Sequence, residues 1–277
     1  MASRLLLVGS DPVVDLEARL YEAAFEAAGL PVSCESRPTP AKELSTLVAH
    51  VRSDSHAIGA AVLMPHTIPI ARMLDGLDPV AQAVGAVNTV THKAGALVGW
   101  NTDQAAFTQA LEEAEFEAKG RSVLMLGAGG AARASVAALR QVAAKVWVTS
   151  PDLDQARALC RDLEVSAGGP TPLGSLSLIA RKVDLIVNAT PVGSEGDAVV
   201  FPTEWISPAQ FVFDLVCLPP VTPLLRGARE RGARAINGLS MLLFNGLAAF
   251  QVLTGESASE AAMRAALEKA VLNRLGS

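Results

Sequence analysis

Val123-Leu-Met-Leu-Gly-Ala-Gly-Gly-Ala-Ala-Arg-Ala134 is the stretch that decides the fold of this chain. A run of apolar residues of strand length enters a glycine turn, and an alanine-rich, helix-favouring pattern leaves it. Gly127, Gly129 and Ala132 keep the Gly-x-Gly-x-x-Gly/Ala spacing that opens a dinucleotide-binding βαβ unit. Gly127 permits a tight turn, Gly129 lets a pyrophosphate approach the backbone, and Ala132 keeps helix and strand close. The amides of Ala128, Gly129, Gly130 and Ala131 then face an anion, with the helix dipole behind them. Such a turn also joins strands to helices that bind nothing. Its setting between a clear strand and a clear helix favours the binding reading.

Further strands are expected at Ser122–Leu126, Ala144–Thr149, Leu185–Asn188 and Phe211–Leu215, with a short one near Ala233–Ala235. Helical patterns fall near Ala131–Gln141, Leu153–Leu163 and Pro223–Arg231. The alternation predicts a Rossmann-like, doubly wound parallel sheet over residues 103–240. Toward the N-terminus, strands are expected at Leu5–Val8, Val32–Glu35 and Ala57–Met64, and helices at Asp15–Ala28, Pro40–Arg52 and around Ile68–Leu74. Asp75–Pro79 reads as a turn, and Gly85–Val90 with Ala96–Trp100 as a strand pair. Residues 1–102 therefore form a second α/β domain, completed by two apolar helices at Met241–Leu253 and Ser259–Leu275. Thr102–Ala118 is the helical connection, and Gly168–Pro172 the loosest loop.

The 277 residues carry a net charge of −5 and are half hydrophobic with few aromatics, a composition suited to helices packed on parallel sheets. No basic tract points to nucleic acid or a membrane surface, and no apolar run has the length of a membrane span. Cys34, Cys160 and Cys217 share neither redox nor metal-ligand spacing, so no metal is expected and a reducing compartment, the cytoplasm, fits better. The partner implied is a small-molecule substrate, bound by a monomer or homodimer.

Four segments together resemble the shikimate/quinate dehydrogenase family across nearly the whole chain. Gly85-Ala-Val-Asn-Thr89 with Asn101-Thr-Asp103 resembles its substrate-domain signature, and Gly127–Arg133 its cofactor loop. Asn188-Ala-Thr-Pro-Val-Gly193 resembles the loop beneath the nicotinamide, and Gly238-x-x-Met241-Leu242 the start of its closing helix. The resemblance implies an NAD(P)-dependent oxidoreductase that moves hydride to or from a ring hydroxyl. It places Asn188, Thr190, Val192, Gly238 and Met241 around the cofactor.

The substrate half departs from the family pattern. The Ser-x-Ser pair that holds a carboxylate corresponds to Asp15 and Glu17, acids that repel an anion and would complement a cation. The motif Asn-Val-Thr-x-Pro-x-Lys appears as Ala61-Val-Leu-Met-Pro-His-Thr67, so Thr67 occupies the place of the lysine that shuttles the proton. The family's tyrosine is Cys217 and its closing-helix glutamine is Asn245, both assigned to the pocket lining. Asn88 and Asp103 persist. Asp103 is open to two roles, a helix N-cap or a general base. His66 either transfers a proton beside Thr67 or caps a loop, and Asn88 either donates to substrate or bonds local backbone.

Ser150-Pro151-Asp152 stands where NADP-using members carry an Asn-Arg-Thr clamp, and an acid at Asp152 favours a ribose hydroxyl over a phosphate. NAD is therefore expected ahead of NADP. These residues suggest a dehydrogenase whose small cyclic substrate is not shikimate. The alternatives are an inactive nucleotide-binding homologue and a conventional shikimate or quinate dehydrogenase.

Overall fold

The computed structural model describes residues 3–9, 13–143 and 145–275. They divide into two compact units, one of residues 1–106 with 242–277 and the other of residues 107–241.

The first unit runs β1 (Ser3–Val8), α1 (Val14–Ala27), β2 (Val32–Arg37), α2 (Leu44–Ser53), β3 (Ala57–Val62), β4 (Gly76–Leu77), α3 (Pro79–Val84), β5 (Thr89–Lys93), β6 (Ala96–Trp100) and the start of α4 (Asp103–Glu113). Its six-stranded sheet has the order β2-β1-β3-β5-β6-β4. β1 pairs in parallel with β2 and β3, while β5 runs antiparallel to both β3 and β6, so the sheet is mixed. Leu6, Val8, Val62, Val90 and Leu97 on the strands pack with Leu44 and Val48 of α2 in one core cluster.

The second unit holds the remainder of α4, then β7 (Ser122–Leu126), α5 (Gly130–Leu139), β8 (Lys145–Thr149), α6 (Leu153–Asp162), β9 (Gly168–Pro170), α7 (Leu176–Ala180), β10 (Leu185–Asn188), β11 (Phe211–Asp214), α8 (Pro223–Glu230) and β12 (Arg234–Ile236). All six strands are parallel, in the order β12-β11-β10-β7-β8-β9. The chain builds from β7 to one side, then returns to build the other, so the switch point lies between β7 and β10. The expected two-domain α/β architecture with a Rossmann-like sheet is what the chain adopts.

Helices α9 (Leu239–Thr254) and α10 (Glu260–Leu275) follow. Within the first unit, α9 meets α1 at Gly246, where an added Cβ would lie 2.1 Å from a methyl of Leu20. The rings of Phe25 and Phe250 meet at a 45° tilt, 5.3 Å apart, beside it.

Three local expectations are corrected. Gly168–Pro170 is an edge strand rather than part of a loop, because glycine at φ +95° lets the backbone approach Val146, whose carbonyl would be 2.3 Å from a Cβ. Asp75–Pro79 holds β4 and the start of α3, with the Asp78 carboxylate accepting from the amides of Val80 and Ala81 and Pro79 in the first helical position. The segment 85–88 is not strand, since α3 ends on Gly85 at φ +72° and pairing starts at Thr89. Ala144 of the expected Ala144–Thr149 strand lies outside the described residues.

Candidate active site

In the second unit, the glycine loop after β7 has the shape its spacing implies. Gly127 sits at φ +112°, and a Cβ there would come within 2.8 Å of the Ala189 carbonyl oxygen. Nothing lies within 4 Å of a Cβ built at Gly129, so a phosphate can approach that backbone closely. No side chain caps α5 at Gly129, and its first amides remain for an anion. Ala128 and Gly130 are buried and Ala131 is half-buried. These features fit a dinucleotide pyrophosphate.

At the end of β8, Ser150 is buried, while Asp152 caps α6. The Asp152 carboxylate accepts from the Asp154 amide at 3.0 Å and from Gln155 Nε2 at 3.2 Å. At the end of β10, Asn188 folds the next turn around its own side chain. Its Oδ1 accepts from the amide and hydroxyl of Thr190 at 3.0 and 2.7 Å, and its Nδ2 donates to the Val192 carbonyl at 3.1 Å. Gly238 donates its amide to Val216 at 3.1 Å, and a Cβ there would fall 3.0 Å from Sγ of buried Cys217. Met241 is buried.

In the first unit, Asp103 opens α4. The cap of that helix is supplied by Asn101, whose Oδ1 accepts from the Gln104 amide at 3.2 Å. Asp103 is thereby released from capping, and its Oδ1 accepts instead from Asn245 Nδ2 of α9 at 2.5 Å. Burial pushes the Asp103 carboxyl up from the ordinary aspartate range, and the amides of Asn88 and Asn245 pull it part of the way back. Asn88 also holds the preceding residue, accepting from the Thr102 amide at 3.0 Å and donating to its hydroxyl at 3.0 Å.

Sequence reasoning missed Tyr21, which is almost wholly buried on α1. Its hydroxyl is pushed well above the usual phenol value by burial and then by the charges of Glu17, Cys34 and Asp103. Glu17 lies one turn before Tyr21 on α1, and tertiary packing adds the charge of Asp103. Asp15 lies on the outer side of α1, is exposed, and pairs with Arg274 of α10 at 2.7 Å. Thr67 is half-buried and its carbonyl accepts from the Val87 amide at 2.8 Å. His66 is fully buried, its Nε2 donating to the Thr39 carbonyl at 2.7 Å. Ala61 and Leu63 are buried beside them.

A model of the shikimate dehydrogenase substrate-binding domain matches residues 15–90. The shikimate dehydrogenase (NADP+) of Citrifermentans bemidjiense is 39% identical over 261 residues, 91% of this chain and 90% of its own. The chain belongs to the shikimate dehydrogenase family. The Thermus thermophilus enzyme of this family, solved with NADP(H) and shikimate, superposes with a TM-score of 0.84 at 34% identity, covering 97% of this chain and 99% of that one. Quinate dehydrogenase from Corynebacterium glutamicum, solved with NAD, superposes at 0.86 with 27% identity and the same coverage. As a member of the shikimate dehydrogenase family, the protein is an NAD(P)-dependent oxidoreductase. Among the described residues, no helix is long and apolar enough to cross a membrane, and no group of three His, Cys, Asp or Glu is placed to hold a metal.

Proposed function

We propose that this member of the shikimate dehydrogenase family interconverts a ring alcohol and ketone of the shikimate kind, with Asp103 contacting the reacting hydroxyl. The carboxyl of Asp103, lifted by burial and steered by Asn245, carries the reading. Bound nicotinamide supplies the carbon that takes or gives hydride. In the oxidation direction, ionised Asp103 accepts the hydrogen bond of the ring hydroxyl and takes its proton as the carbonyl forms. Its raised proton affinity moves it toward the range where a base works near neutrality. Asn88 fixes Thr102 and hence the start of α4. The amides at the start of α5 hold the pyrophosphate.

Relatives named shikimate dehydrogenase across nine-tenths of the chain favour shikimate over an unrelated substrate. A second reading, a different cyclic substrate, is favoured by Thr67, Ala61 and Leu63, which offer no lysine and few polar contacts. Glu17 adds a buried negative oxygen to that side of the unit. The case for a cationic substrate is weaker, because Asp15 is spent on Arg274 in solvent. For the cofactor, NAD ahead of NADP is supported by the acids Asp152 and Asp154 and by Pro151 in place of a basic residue, while the relatives' names favour NADP.

The deciding experiment is steady-state oxidation of shikimate and quinate with NAD+ and NADP+. Turnover of about one per second or faster supports the first reading. Turnover far below that, raised tenfold or more by Thr67→Lys, supports a remodelled pocket. Binding of neither dinucleotide would sink both.

A further inference from the structure

The second unit contains a buried carboxyl with no direct part in the proton transfer. Asp214 ends β11 with 0% exposure, and each partner it has in the hydrogen-bond network is a donor. Oδ1 accepts from Asn188 Nδ2 at 2.9 Å and from the Val216 amide at 3.1 Å, and Oδ2 accepts from the Thr222 hydroxyl at 2.6 Å. Thr222 Oγ1 itself accepts from the Leu225 amide at 3.2 Å, so its hydrogen is left for Asp214. Burial pushes this carboxyl up, and the donors Thr222, Val216 and Asn188 each oppose that by favouring the ionised form. The arrangement suits a carboxylate.

This carboxylate joins two loops that follow different strands, β10 and β11. Through Asn188 it reaches the turn over 189–192, which is wrapped around the asparagine side chain. Through Thr222 it reaches the end of the 215–222 loop and the start of α8. The two loops also touch directly, since a Cβ at Gly193 would lie 3.4 Å from Cβ of Thr222. Gly127 of the pyrophosphate loop rests against Ala189 on the other side. In an open α/β sheet the ligand spans the switch point at the carboxyl ends of the strands. One mononucleotide half then lies over β7 and β8, and the other over β10 and β11.

We propose that Asp214 is a positioning residue for hydride transfer: by tying the 189–192 turn to the 215–222 loop, it presets the surface that the nicotinamide half of the dinucleotide meets. The proposal rests on dinucleotide binding by this unit. It predicts that loss of the tie weakens the nicotinamide half of the ligand and spares the adenosine half.

The test is calorimetric titration of NADH and of ADP-ribose, which lacks the nicotinamide, into wild type, Asp214→Asn, Thr222→Val and Thr222→Ser. NADPH with 2′-phospho-ADP-ribose replaces that pair should the protein prefer the phosphate. In Asp214→Asn and Thr222→Val, the affinity advantage of NADH over ADP-ribose should fall about tenfold, as for a lost hydrogen bond to a buried charge. ADP-ribose should bind within about twofold of wild type, and Thr222→Ser should keep the full advantage. If Asp214→Asn does not fold, the two Thr222 variants decide. An unchanged advantage, or equal weakening of both ligands, overturns the proposal. Wild type that binds neither ligand overturns the dinucleotide reading itself.

Discussion

Asn245→Leu isolates the contact that sets the behaviour of Asp103. Leucine nearly matches asparagine in shape but removes the amide that donates to Asp103 Oδ1 at 2.5 Å. Burial alone drives this carboxyl up, and Asn88 and Asn245 oppose it. A hydrogen bond to a charged group contributes about 1.5–3 kcal/mol, and one pKa unit corresponds to about 1.4 kcal/mol. The variant should therefore titrate higher at Asp103, because one of the two donors that oppose burial is gone. The sign follows from linkage. A carboxyl whose folded value lies above its unfolded value costs no stability below the unfolded range, and its full cost applies above the folded value. The penalty in Asn245→Leu should thus be larger at pH 7 than at pH 4, by up to about 1.5–3 kcal/mol. Urea unfolding at the two pH values measures it, and the acid limb of kcat/KM should move to higher pH. Equal stability losses at both pH values, together with an unmoved acid limb, would refute the role given to Asn245.

Gly127→Ala forces a Cβ against the Ala189 carbonyl at a left-handed φ; it should lower dinucleotide affinity at least about tenfold and destabilise by about 1–3 kcal/mol, read by titration and melting. Pro151→Arg places a guanidinium beside the expected ribose position and should shift the NADPH-to-NADH affinity ratio upward, with no shift counting against that placement. The Arg4 guanidinium, bonded at 2.7 Å, holds the Asp54 carboxyl down to about 2. A depressed acid contributes stability above its unfolded value, so the melting-temperature gap between wild type and Asp54→Asn should be full at pH 7. It should close as pH falls from about 4 toward 2.

Strands β7, β8, β10 and β11 of the second unit were legible because each is a short, largely apolar run between turn residues, and the glycine loop because its spacing is rigid. β9 escaped since Gly168 and Gly169 carry no side chains whose alternation marks a strand. α3 escaped because Asp78-Pro79 serves equally as a turn and as a cap with proline at the first helical position. Asp103 was legible, but its release from capping by Asn101 and its bond to Asn245 join residues 142 positions apart. Asp15 illustrates how helical phase sorts neighbours: Val14 and Leu16 face the core, so the residue between them points to solvent. Asp214 and Thr222 stand eight residues apart with nothing local to link them, and only the return of the chain after β11 closes their bond.

The first unit is discontinuous, since α9 and the helix after it supply the wall against which Leu20 and Phe25 pack. Residues 107–241 form an uninterrupted unit. On a ribosome adding about 5–20 residues per second, the first 106 residues wait roughly 10 to 30 seconds for the segment that covers them. The later-encoded unit is thus complete before the earlier one. During that interval, the apolar face of α1 is open to any holding chaperone at the tunnel exit.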